Sequence, residues 1–305
     1  MKKKGFLQIS FSWLFAILVG VVILFLAIYG VTKLFHSGQT YQDVKTSKEL
    51  GILLNPLETS FQGAQSLSLT FPVNTRLFCS CNINGEFGKQ LIRISQESFK
   101  KWSKTNIDVG FQNKYIFSKK IIEGKKMFIF SKPFNFPFKI SDLIYIVSSK
   151  DKYCFIDAPD DIKEELENLN QENLLVDNCS QDSIKVCFEN NNCDINVDYL
   201  NGIIDKKGEK VYFYSDSLMY AGIFADKEIY ECGLKRLMKR AKSLAEIYKN
   251  KANLISDTCE TNMNDDLDVL TSQAGNLKNS EDLFKIIDVV ENLEDKNNQG
   301  VCNLW

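Results

Sequence analysis

The pattern of apolar and polar positions divides the chain into segments of different period. Trp13 to Val31 is nineteen residues without a charge, and Phe11 and the Lys33–Phe35 flank lengthen it. That reaches the ~20 residues a helix needs to cross ~30 Å of hydrocarbon. Residues 36–65 turn polar, and "VKTSKELGILLNPLETSF" predicts short helices broken at Gly51 and Pro56, a stalk resting loosely on the body. From 66 to 215 the period is two. "SLSLTF" and "LIRIS" alternate as half-buried strands do, and "KYIFS", "KMFIF" and "DLIYIV" are apolar runs of strand length. "KPFNFPFK" carries Pro133 and Pro137 and predicts an extended edge or loop. Tyr153–Ile156 predicts a strand, followed by a helix whose Ile162, Leu166 and Leu169 share one face. "NQENLLVDNCSQD" reads as a loop, "SIKVCFENNNCDINV" as two short strands around an asparagine turn, and "IIDKKGEKVYFY" as a hairpin.

From Ser215 onward the period is helical. Leu234, Leu237, Met238, Ala241, Leu244, Ala245 and Tyr248 recur at i, i+3, i+4, i+7, with further stripes around Leu267–Ala274 and Leu283–Leu293. Gly275 and Asn279 weaken the middle and Ser280 restarts it, predicting three helices near 228–255, 264–275 and 281–294. The fold class is α+β: an N-terminal transmembrane helix, a mixed β-rich exported domain and a helical C-terminal subdomain. The boundaries are a basic tail 1–10, a signal-anchor helix 11–35, a stalk 36–65, a β-rich α+β domain 66–215 and a helical subdomain 216–305.

Charge gives the apolar run an orientation. Lys2, Lys3 and Lys4 precede it and Lys33 follows, while the first acid is Asp43. A secretory leader has an apolar region of only ~7–15 residues and a small-residue cleavage site; neither describes this segment. The lysine bias predicts a single-pass protein of the cell membrane with a cytoplasmic N-terminus and an extracytoplasmic body. Without those four lysines the chain has 33 basic against 39 acidic residues. An acidic body argues against nucleic acid as a partner, because such binding neutralises phosphates.

Nine cysteines suit an oxidising compartment. Cys187 and Cys193 are expected to pair across the turn in "FENNN", and Cys259 with Cys302 where the first and third C-terminal helices end together. Cys79-Ser80-Cys81 is the candidate redox pair, although C-x-x-C is the familiar form. Zinc spacings are absent and the single histidine, His36, sits at the membrane edge, so no metal or cofactor is expected. With no histidine in the exported body, Ser-His and Cys-His catalysis are excluded there. "LKRLMKRAK" sets Lys235, Arg236, Lys239 and Arg240 on the polar side of a helix, a candidate surface for lipid or a partner.

"KKKG…QISFSW" resembles the leader of archaeal pilin-like surface proteins, in which a basic-Gly site precedes a Q-x-S-x-E-F stretch. Gly5, Gln8 and Ser10 match; Phe6 and Leu7 separate Gly5 from Gln8, and Ser12 stands where that family has glutamate. More broadly, "QISFSWLFAILVG", "YCFIDAP", "MYAGIFADKEIYECGLKRLMKRA" and the C-terminal cysteine are similar to membrane-anchored surface proteins of small-genome archaea. That resemblance implies a surface location and no particular activity. The expected function is therefore structural or interaction: a pilin-like surface component touching membrane lipid, other surface proteins or itself. The rival is an exported thiol–disulfide exchange protein, or another enzyme, using Cys79 and Cys81.

Overall fold

The computed structural model describes residues 11–55, 65–98, 100–103, 107–188, 192–259, 263–300 and 302–305; the side chains of 32, 34–42, 65 and 256–259 lie outside that description. The first element, α1, is one helix of 43 residues, Phe11–Leu53, ~65 Å long at 1.5 Å per residue. Its Phe11–Val31 segment has no buried residue and a mean hydropathy of 2.9. The far end behaves differently. Asp43, Ser47, Leu50 and Gly51 form a buried stripe that the following turn continues to Leu54, and Leu50 and Leu54 are 3% and 0% exposed.

That corrects the expected broken and loosely packed stalk. Gly51 does not interrupt the helix; it lets the Phe111 ring lie where a side chain would stand, since a Cβ there would meet Phe111 Cε1 at 2.2 Å. Two residues from the helix end, its conformational cost is outweighed by this contact. Lys114 Nζ donates to Asn55 Oδ1 at 2.6 Å just beyond.

Seven strands form the first sheet: β1 Gln65–Asn82, β2 Lys89–Ser98, β3 Lys101–Trp102, β4 Val109–Phe111, β5 Ile116–Phe117, β6 Ile121–Asn135 and β7 Lys139–Ser148. The order is β3-β2-β1-β6-β7-β5, with β4 also on β2. Alternation sends Leu77, Cys79, Ile92, Ile94, Ile129, Ile144 and Ile146 into a core shared with Leu50 and Leu54. On β6 and β7 the opposite positions, Phe130, Leu143, Tyr145 and Val147, enter a second and larger core. "KPFNFPFK" belongs to both strands of the β6–β7 hairpin. Pairing of β6 with β1 ends at Ser131↔Gln65, whereas pairing with β7 continues through Pro133↔Asp142. Pro133 thus occupies the part of β6 that has become an edge, where its missing N–H is tolerated.

A second sheet follows: β8 Tyr153–Ile156, β9 Leu174–Val176, β10 Ile184–Cys187, β11 Ile195–Asp198, β12 Ile203–Lys206 and β13 Glu209–Tyr212, in the order β13-β12-β11-β10-β8-β9. Strands β9, β8, β10 and β11 are parallel. Helix α2, Asp160–Asn168, connects β8 to β9 and buries Ile162 and Leu166. The stretch read as a loop therefore contains an edge strand, β9; at three residues it is too short to show a period. β12 and β13 form the expected hairpin. Lys207 and Gly208 both have positive φ, as a two-residue turn of right-handed strand twist requires.

Helix α3, Asp216–Phe224, is buried at every position from Ser217 to Phe224 and packs against β6 and β7 of one sheet and β12 of the other. An all-apolar helix of this kind belongs inside. The chain ends in α4 Lys227–Cys259, α5 Asn264–Gly275, a 3-10 turn Ser280–Leu283 and α6 Phe284–Gln299. The break falls after Gly275, and Asn279 and Asp282 close a reciprocal capping box at the restart. These elements are those of an α+β protein with an N-terminal apolar helix and C-terminal helices.

Candidate functional site

The two cysteines of the C-x-C pair are separated by their partners. Residues i and i+2 on β1 face the same way, so both turn toward the core side. Cys81 reaches across to α4 and bonds Cys232, with Cα atoms 6.0 Å apart. Cys79 is a free thiol, 2% exposed; burial pushes its pKa up to about 11, against a smaller opposing effect of Ser118. At neutral pH it is held as the thiol, whereas exchange chemistry needs an accessible thiolate. The redox-pair expectation is corrected: one sulfur is a cross-link and the other is core.

Cys187 and Cys193 are joined, with Cα atoms 6.0 Å apart. The strands on either side, β10 and β11, run parallel, so the bridge does not span a hairpin as the asparagine turn suggested. Cys154 and Cys179 form a third bridge, which ties the β9–β10 crossover onto the β8 strand it passes; no local spacing announced it. Cys302 is disulfide-bonded. The side chain of Cys259, its expected partner, lies outside the described residues, and Cys232 is already committed to Cys81.

The basic helix face is also reordered. Arg236 is 0% exposed. Its guanidinium donates to the carbonyls of Lys114 at 2.9 Å, Gln112 at 2.9 Å, Phe87 at 3.2 Å and Phe111 at 3.4 Å, and lies 4.6 Å from the Tyr115 ring centre. Lys239 Nζ donates to the carbonyls of Ile83 at 2.7 Å and Gly85 at 2.9 Å. Arg240 lines a hollow of about 370 Å³ with Phe87, Gln112 and Leu244. Arg236 and Lys239 thus serve the end of β4 and the loops leading into β2 and out of β4, which bring carbonyls against α4. Arg236 is thereby withdrawn from the exposed side of the helix, while Lys235, Lys239 and Arg240 stay half-buried.

Lys235 remains, and the fold supplies it with new neighbours. It lines a hollow of about 340 Å³ with Lys227 and Glu231 of α4, Lys210 and Tyr212 of β13, and Lys278 through Glu281 before α6. Lys227, Glu231 and Lys235 are four residues apart and share one helix face. Glu231 is occupied: its carboxylate accepts from the Ser280 N–H at 2.8 Å and hydroxyl at 2.6 Å. Among the described residues none of the four ammonium groups has a hydrogen bond or ion pair. The hollow combines residues from three separate stretches, a convergence invisible in sequence.

A second charged cluster is internally satisfied. Lys132 bridges Glu165 at 2.6 Å and Asp216 at 3.2 Å, while Tyr220 donates to Glu165 at 3.0 Å and Tyr199 to Asp216 at 2.9 Å. It joins β6, α2, α3 and the turn after β11. Every group is matched, so this is a tie rather than a reactive set. In open parallel sheets ligands favour the carboxyl ends where strand order reverses, here between β8 and β10. That position holds the contacting rings of Phe155, Phe188 and Tyr199.

No family model, curated protein or solved structure matches the chain. The class is defined by the molecule itself: a disulfide-tied α+β body on one long helix whose outer part is apolar and bare.

Proposed function

We propose that the protein is a single-pass membrane protein, N-terminus in the cytoplasm, whose body works outside the cell as a surface interaction module. The observation that carries this reading is the Phe11–Val31 helix segment, apolar enough to cross a bilayer and with none of its residues buried by the body. Bare apolar surface of that extent requires a bilayer or a partner. The disulfides Cys81–Cys232, Cys154–Cys179 and Cys187–Cys193 suit an oxidising compartment, and the lysines before the span set its direction. A pilin-like role rests on Gly5, Gln8 and Ser10 in a leader outside the described residues.

Protease added to intact cells should remove the body and leave a fragment containing Lys2–Lys4; full protection of the chain overturns the orientation. Intact mass is expected to retain residues 1–5, and a species beginning after Gly5 would instead support pilin-type processing.

A further inference from the structure

We propose that the hollow bounded by Lys210, Lys227, Lys235 and Lys278 binds an acidic carbohydrate, a glycan carrying carboxylate or sulfate groups. This rests on the body being exported, which places it among extracellular glycans. The chain outside the anchor is net acidic, 33 basic against 39 acidic residues; four unpaired lysines around one depression therefore run against the general charge. The lining sets those four cations against two carboxylates, Glu231 and Glu281, and Glu231 is held by Ser280. Asp205 stands opposite Lys210 on β12 and Glu228 follows Lys227 on α4, but the lining itself keeps an excess of two positive charges, and a ligand bringing oxyanions into its midst relieves the repulsion among the lysines.

Shape and composition narrow the class. A bilayer presents its charge as a surface, to which projecting basic residues answer; these lysines surround a concavity of about 340 Å³, within the size range of small-ligand clefts. Tyr212 lines it, and its ring stands edge-to-face with Phe284 at 5.6 Å. Phe284 is 41% exposed. An amphipathic aromatic pair beside cations suits a ring that is apolar on its faces and anionic at its edge. Lysine, a rotatable point charge, accommodates scattered oxyanions without the fixed fork of arginine.

The test uses the full chain in nonionic detergent and a fluorescent heparin-derived hexasaccharide, with a neutral glucan hexasaccharide as control. Binding should be saturable, specific to the acidic sugar and weakened by salt. Exposed lysine contacts are each worth roughly 1.5- to 5-fold in affinity, so the triple variant K210Q/K227Q/K278Q should lose between about threefold and about a hundredfold. The triple variant K101Q/K125Q/K185Q removes the same charge from exposed positions elsewhere and should lose less than about threefold. Circular dichroism and thermal melting verify that both variants fold. Equal losses in the two variants, or no saturable binding of the hexasaccharide, overturn the proposal. So does preferential binding of anionic phospholipid vesicles that K210Q/K227Q/K278Q abolishes. Because the protein is purified, a failure here leaves the orientation experiment on cells untouched, and the reverse also holds.

Discussion

Arg236 brings a full charge into the interior without a carboxylate at ion-pair distance among the described residues; four carbonyls and the Tyr115 ring take its place. Burial lowers its pKa, and Tyr115 opposes that shift. Replacing it with methionine keeps an unbranched apolar stem but strands those carbonyls, each costing ~1–3 kcal/mol when buried and unmatched. Arg236→Met should therefore destabilise by about 3 kcal/mol or more, read as a urea midpoint, and Arg236→Lys should rescue little because an ammonium cannot span the same fork. A variant within 1 kcal/mol of the parent, on the order of an ordinary surface change, would refute the clasp. Glu123 offers a pH-dependent counterpart. Arg76, directly opposite on β1, donates to it at 2.7 Å, and that hydrogen bond foremost holds its carboxyl below the usual range. A group whose folded pKa is depressed stabilises above its unfolded pKa and loses that contribution as pH falls through the folded value. The melting-temperature gap between the parent and Glu123→Gln should be largest near neutrality and close between ~pH 5 and ~pH 3. A constant gap across that range would show that the pair does not titrate as described.

At the scale of elements, the decisive seam is between the end of α1 and the first sheet. The helix could have stopped where its apolar segment ends; instead Leu50 and Leu54 enter the core beneath β2, and Gly51 receives the Phe111 ring. The apolar helix and the body are mechanically continuous there. Gly51→Val would place branched carbon inside that ring contact. Overpacking of this kind costs ~1–3 kcal/mol, and hydrogen exchange should accelerate at 47–54 and in β4 while β6–β7 stays protected. Unchanged exchange at 47–54 would mean that the seam accommodates the added carbon. The sequence showed Gly51 as a break because a glycine without its partner is only a weak helix former; Phe111, sixty positions away, supplied the missing reason. Short β9 and the parallel pairing of β10 with β11 were equally illegible, since strand direction depends on the neighbour.

Across the whole molecule, Cys81–Cys232 fastens the first sheet to the C-terminal helices over a sequence separation of 151. Cross-links closing such long loops remove the most unfolded-state entropy, so the double variant C81S/C232S should lose about 3–5 kcal/mol. It should fail at lower temperature as a whole, because α3 lies between the two sheets and couples them. Independent melting of the first sheet, seen as two calorimetric transitions in the parent, would contradict that coupling.

The sequence by itself determined what local chemistry determines. An uncharged apolar run of that length marks a helix able to cross a bilayer, alternation reveals half-buried strands, and 3.6-residue stripes broken near Gly275 and restarted at Ser280 place α4, α5 and α6. Those signals gave the α+β class, the apolar N-terminal helix and the positions of Lys235, Arg236, Lys239 and Arg240 along one helix. Tertiary structure decided what these residues do. It buried Arg236 because carbonyls from remote loops arrived there, gave Cys81 to α4 rather than to Cys79, and gathered Lys210, Lys227 and Lys278 around Lys235. Such roles depend on which distant surfaces meet, and periodicity records only which side of its own element a residue faces.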